Sequence, residues 1–153
     1  MNWLMLTFVI LSAAGPSPAY QQPDVRQVTE ITQAYTQHEC EGCPDYRVLF
    51  RRDGTAELRQ QRPDRTWEAY VASDCRKLFI RLLDRLMAAG YFRLKDEYEM
   101  GWEGGTCVRN SVGRVGQRKW LKTEHMGEVP SNVRLIFGLI DEAVKQVRWQ
   151  KVP

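Results

Sequence analysis

The sequence predicts an α+β fold: an antiparallel sheet of hairpins with two amphipathic helices packed on one face, in the order strands, helix, two strands, helix. Three observations predict it. Tyr46 to Arg51 and Thr55 to Gln60 alternate apolar and polar residues around Asp53-Gly54, a hairpin signature. Leu78, Phe79, Leu82, Leu83, Leu86 and Met87 recur at helical spacing, and so do Val133, Ile136, Phe137, Ile140, Val144 and Val147. Nowhere does the chain alternate strand and helix as a doubly wound parallel sheet requires.

The chain has 153 residues, enough for one domain. Met1 to Ala19 reads as a secretory signal peptide. Trp3 to Gly15 holds no charge, Pro16 breaks the apolar run, and Ser17-Pro18-Ala19 supplies the small residues a signal peptidase reads, placing cleavage after Ala19. Its n-region lacks Lys and Arg and offers only the terminal amine. The run falls short of the roughly 20 apolar residues of a membrane span, so the mature chain is expected to have no transmembrane segment. Residues 20–26 form a polar lead-in, 27–149 the single domain and 150–153 a tail.

Within the domain, Gln27 to Thr36 is rich in β-branched residues and reads as a strand. Turn chemistry fixes the register of the hairpin that follows. A two-residue Asp53-Gly54 loop would put Phe50 opposite Glu57 and mix the faces. A three-residue loop of Arg52, Asp53 and Gly54 pairs Phe50 with Ala56 and Val48 with Leu58, with Gly54 at the left-handed bulge position. Thr66 to Val71 is a further strand. Ser73 is the expected N-cap of the first helix, with Asp74 in its first turn, and Gly90 its C′ stop. Tyr91, Phe92 and Leu94 are expected to continue into the core as a short extended piece. Asp96 to Gly105 reads as an irregular acidic loop. Thr106 to Val112 and Val115 to Lys122 read as a hairpin around Gly113, and Pro130 sits near N1 of the second helix.

Charge narrows the function classes. With 22 Lys and Arg against 19 Asp and Glu, the net charge of +3 is too small to argue for nucleic acid. The charges are nonetheless segregated. Asp96, Glu97, Glu99 and Glu103 crowd one loop, whereas Gly104 to Thr123 holds Arg109, Arg114, Arg118, Lys119 and Lys122, with Trp120 among them and no acid. This hairpin is a candidate surface for an anionic envelope component or another envelope protein; the alternative is a solvated strand face. The acids match no calcium loop. Hydrolase, phosphate-loop and zinc-protease motifs are absent, and the histidines are His38 and His125.

Cys40-x-x-Cys43 precedes Pro44 and a strand, so the helix N-terminus that activates a redox thiol is missing. In an oxidising compartment the default for such a pair is a structural disulfide. His38, Cys40 and Cys43 together would still offer three ligands to zinc, with Cys75 or Cys107 as a fourth. Four cysteines allow three connectivities.

Cys40-Glu41-Gly42-Cys43-Pro44-Asp45-Tyr46, the alternating strand after it and Asp53-Gly54-Thr55 resemble an uncharacterised bacterial family, domain of unknown function 6438. The likeness continues through Phe92 to Tyr98, including Asp96, and to Pro130 and Asp141, covering most of Val28 to Trp149. It departs in the cysteine spacing, which is usually one residue longer in that family, and in lacking the family's Asp where this chain has Glu103, Gly104 and Gly105. The resemblance implies an exported domain and favours pairing Cys40 with Cys43, which leaves Cys75 with Cys107; the spacings alone leave cross-pairings such as Cys40–Cys75 open. Loop-closure entropy gives about 1.9 kcal/mol for the short loop and about 3.7 kcal/mol for the long one. The sequence therefore reads as a non-catalytic exported binding or structural module needing no cofactor, the alternative being a periplasmic thiol-disulfide oxidoreductase using Cys40 and Cys43.

Overall fold

The turn at Asp53-Gly54 sets the register from which the sheet is built. A computed structural model of the chain describes residues 24–38, 45–98, 105–114, 116–124 and 129–153. Strand β2 (Tyr46–Arg51) pairs with β3 (Ala56–Gln61), Val48 opposite Leu58 and Phe50 opposite Ala56, as the three-residue loop requires. Gly54 has φ +101°, and a Cβ there would lie 3.3 Å from the Arg76 amide nitrogen, so both backbone and space demand glycine. Asp53 closes the loop by accepting from the Thr55 amide and hydroxyl, each at 2.8 Å.

On one side of this hairpin lies β1 (Glu30–His38), led in by a 3-10 turn at Val25–Gln27; on the other lies β4 (Trp67–Ala72). The Arg52 guanidinium ties down the lead-in by donating to the Val28 carbonyl at 2.6 Å while lying over the Phe79 ring. Helix α1 (Arg76–Ala88) follows, then a 3-10 turn at Tyr91–Arg93 and the short strand β5 (Glu97–Tyr98). The hairpin β6 (Gly105–Arg114) and β7 (Gln117–Glu124) leads to helix α2 (Ser131–Gln146) and the C-terminal strand β8 (Gln150–Lys151). Among the described residues eight strands form one sheet in the order β5-β7-β6-β1-β2-β3-β4-β8. The fold class is α+β.

Several expectations need correction. The sheet is mixed, because β5 runs parallel to β7. Two reversals separate them in sequence, one into β6 and one into β7, and two reversals restore the original direction. The acidic loop thus contributes a strand, and the tail contributes another, Lys151 pairing with Tyr70 and Gln150 with Val71. Strand β1 begins at Glu30 rather than Gln27. Tyr91 to Arg93 is a buried 3-10 turn and not an extended piece. Ser73 does not cap α1: Asp74 takes a left-handed φ of 62°, and the helix starts from Cys75, whose amide bonds to the Gly54 carbonyl at 2.9 Å. Pro130 is the N-cap of α2. Gly113 is not the turn of its hairpin: it pairs with Arg118, and Arg114 beyond it still pairs with Gln117. Gly113 lies inside β6, where a Cβ would come within 2.8 Å of the Arg118 Cα.

Both helical stripes face the core, with Leu78, Met87, Val144 and Val147 half-buried at its margin. Phe79, Leu82, Leu83 and Leu86 of α1 share one core with Val133, Ile136, Phe137 and Ile140 of α2, to which Leu139 and Ala143 add. The strands enter this core with one face: Ile31 and Gln33, Val48 and Phe50, Ala56 and Leu58, Val108 and Val112, then Leu121. Among the described residues no helix is long and apolar enough to cross a membrane.

Candidate functional site

Strand alternation turns the remaining side chains to the other face of the sheet, which no described element covers. Register puts five of them in one transverse row. Lys122 of β7 is opposite Arg109 of β6, Arg109 opposite Ala34 of β1, Ala34 opposite Arg47 of β2, and Arg47 opposite Arg59 of β3. Strands lie about 4.8 Å apart, so Arg47 and Arg59 are immediate neighbours while Arg109 and Arg47 are anchored about 10 Å apart across the small Ala34. Like charges directly opposite one another destabilise a sheet.

The adjoining rows differ in charge balance. Toward the hairpin turns, Glu30 is flanked by Arg51 and Arg118 and pairs with both, and Arg51 also reaches Glu57 at 2.7 Å. Between that row and the basic one run Trp120, Ser111, Thr32, Leu49 and Glu57. In the basic row Lys122 binds Glu97 at 2.6 Å. Among the described residues the guanidinium groups of Arg47, Arg59 and Arg109 have neither an ion pair nor a hydrogen bond. All three are exposed. They line a cavity of about 500 Å³ together with Arg118, Trp120 and Glu57, whose carboxylate is paired with Arg51, over a floor of Thr32, Ala34, Thr36 and Leu49. Trp120 is 46% exposed. A cavity of this size with a partly apolar floor and convergent cations suits an anionic ligand.

Of the residues singled out on the basic hairpin, the fold brings Arg109, Arg118, Trp120 and Lys122 to this face. Arg114 stays at the hairpin end, donating to Gln117 Oε1 at 2.8 and 3.0 Å. Lys119 is turned to the opposite face, 5% exposed, where its ammonium donates to the Leu94 carbonyl at 2.7 Å and pairs with Asp96. Its neighbours in alternation are Leu121 and Thr123, so period two already assigned it to the core side. Sequence reasoning missed Arg47 and Arg59. The signal was present: a register that pairs Val48 with Leu58 also pairs Arg47 with Arg59 on the outer face.

Of the cysteines, Cys40 and Cys43 lie outside the described residues, as do Gly42 and Pro44 of the family-like signature. Cys75 and Cys107 are not bonded to each other in the structure. Cys75 is buried beneath the start of α1, whereas Cys107 lines the open-face cavity, so the sheet separates them. Burial, reinforced by Asp74, raises the Cys75 thiol pKa and keeps it protonated at neutral pH. Among the described residues no group of three or more His, Cys, Asp or Glu could hold a metal ion.

The described residues of the resemblance have structural partners. Tyr46 donates to Asp141 Oδ1 and accepts from Gln33 Nε2 at 3.1 Å; Gln33 also donates to Asp141 at 2.8 Å, and Tyr35 donates to Asp141 Oδ2 at 2.9 Å. Burial first, and then Asp141, pushes both phenols far above their ordinary range, so they remain neutral donors. Asp96 pairs with Lys119, and the Tyr98 hydroxyl accepts from the Lys95 amide at 3.3 Å. No family model matches the chain, and no curated protein matches it.

Proposed function

We propose that this chain is an exported, non-catalytic binding module of the bacterial envelope that takes an anionic component on the open face of its sheet. One observation carries the reading. Arg47, Arg59 and Arg109 stand in a single cross-strand row near Trp120 with no carboxylate partner among the described residues, although four residues along the strands Glu30 pairs with both Arg51 and Arg118. A sheet gains nothing in stability from opposing guanidinium groups, whereas a bound anion would offset their repulsion. Export rests on the uncharged leader Met1 to Ala19. The likeness to domain of unknown function 6438, through Cys40 to Tyr46, Asp53-Gly54 and Asp141, agrees with that compartment, in which Cys40 and Cys43 would close their loop as a disulfide.

Retention on a polyanionic matrix tests the reading. The triple variant Arg47→Ala, Arg59→Ala, Arg109→Ala should elute at markedly lower salt than the parent. A control of equal charge change on the helices, Lys77→Ala, Arg81→Ala, Lys145→Ala, should elute close to the parent. Equal shifts for both triples would reduce the effect to net charge and refute a built site.

A further inference from the structure

The open face also specifies what kind of anion it takes. We propose that the ligand is a linear glycan bearing carboxylates, a chain of uronic acid residues laid across the strands; this rests on the anion-binding reading above. The cations have two poles and not one. Arg47 and Arg59 form a close pair, and Arg109 stands two strands away on the far side of Ala34. Ala34 carries nothing beyond its Cβ, so the middle of the row is a channel between the poles. A single small anion would occupy one pole and leave the other unneutralised. A chain with an acid on successive units reaches both.

The floor selects among polyanions. Leu49, Ala34, Thr32 and Thr36 line the cavity beneath the arginines, and Trp120 lines it with nearly half its surface exposed. Indole and aliphatic surface has no use for a phosphate chain, which is polar on every side. A pyranose ring has one apolar C–H face, suited to lie on Trp120 and Leu49, and a carboxylate at its rim. An arginine fork holds such a carboxylate through two parallel N–H···O bonds. The Thr36 hydroxyl and the Trp120 indole N–H add polar groups to the lining. Thr32 is already bonded to Ser111 at 2.7 Å, which fixes that part of the floor before any ligand arrives. The cavity of about 500 Å³ is open to solvent.

Titration calorimetry on the mature chain separates the possibilities. Its probes are short oligogalacturonates from dimer to hexamer, neutral glucan oligomers of the same lengths, and linear polyphosphate of matched charge. Oligogalacturonates should bind, more tightly as they lengthen enough to reach both poles, and neutral oligomers should bind at least about 100-fold more weakly. Trp120→Ala should weaken oligogalacturonate about tenfold and leave polyphosphate unchanged. Arg47→Ala should weaken both. Polyphosphate binding as tight as oligogalacturonate, together with no effect of Trp120→Ala, would overturn the glycan assignment and leave the anion-binding reading intact. Failure of every anion to bind would overturn both.

Discussion

Asp141 receives the phenols of Tyr35 and Tyr46 and the amide of Gln33, so a single carboxylate pins α2 to β1 and β2. Hydrogen bonds to a charged acceptor contribute about 1.5–3 kcal/mol each, and removing the acceptor leaves enclosed donors unmet. Asp141→Asn should therefore lower stability by about 2–3 kcal/mol in urea unfolding; a loss below about 0.5 kcal/mol would mean that the cluster has no structural weight. At Arg59 the opposite sign is expected. Arg59→Thr removes one member of a like-charged cross-strand pair and should stabilise the ligand-free chain by about 0.2–1 kcal/mol while weakening retention on a polyanion. Higher melting temperature with lower affinity is the signature of a binding residue. Destabilisation on this substitution would make Arg59 a structural one.

At the scale of elements, the C-terminal strand is held to β4 by electrostatics as well as pairing. Glu68 takes the Lys151 ammonium at 2.5 Å, the Tyr70 hydroxyl at 2.7 Å and Arg62 at 2.7 Å. The Lys151 ammonium first, and the Tyr70 hydroxyl second, hold its pKa down from 4.5 to about 2. A carboxylate with a depressed folded pKa contributes stability that is present above its unfolded value and lost as pH falls through the folded one. Between about pH 4.5 and 2 the parent should thus lose more stability than Glu68→Gln, and the gap between their urea midpoints should close across that window. A gap that stays constant would show that Glu68 gains nothing from these partners. Elements with local signals were legible in the sequence. The Asp53-Gly54 turn and clean alternation gave β2 and β3 their register, and apolar spacing located both helices. Strands β5 and β8 carry two residues each, too few for a period to show, and they exist only because distant edges accept them. The start of α1 was misplaced because Ser73 and Asp74 satisfy every local rule for a cap, while the Gly54 carbonyl, supplied by the hairpin, decides where the helix begins.

Among the described residues, one face of the sheet is filled by helices and the other carries Arg47, Arg59 and Arg109 with no carboxylate partner. The candidate site was half legible. Segregated charge pointed to Arg109, Arg118, Trp120 and Lys122, but grouping by sequence proximity swept in Lys119, which alternation sends to the core. It left out Arg47 and Arg59, which only the pairing of β1 with both β2 and β6 brings alongside Arg109. The same topology sets Cys75 beneath the helices and Cys107 on the open face, and the pairing of the two that the resemblance implied is not formed in the structure. The most direct measurement of the central claim is amide and indole chemical-shift mapping of the isotopically labelled chain during titration with oligogalacturonate. The account predicts shifts that cluster at Ala34, Arg47, Leu49, Arg59, Arg109 and the Trp120 indole, with α1 and α2 unmoved. Shifts confined to the helices, or spread evenly over every exposed basic residue, would contradict it.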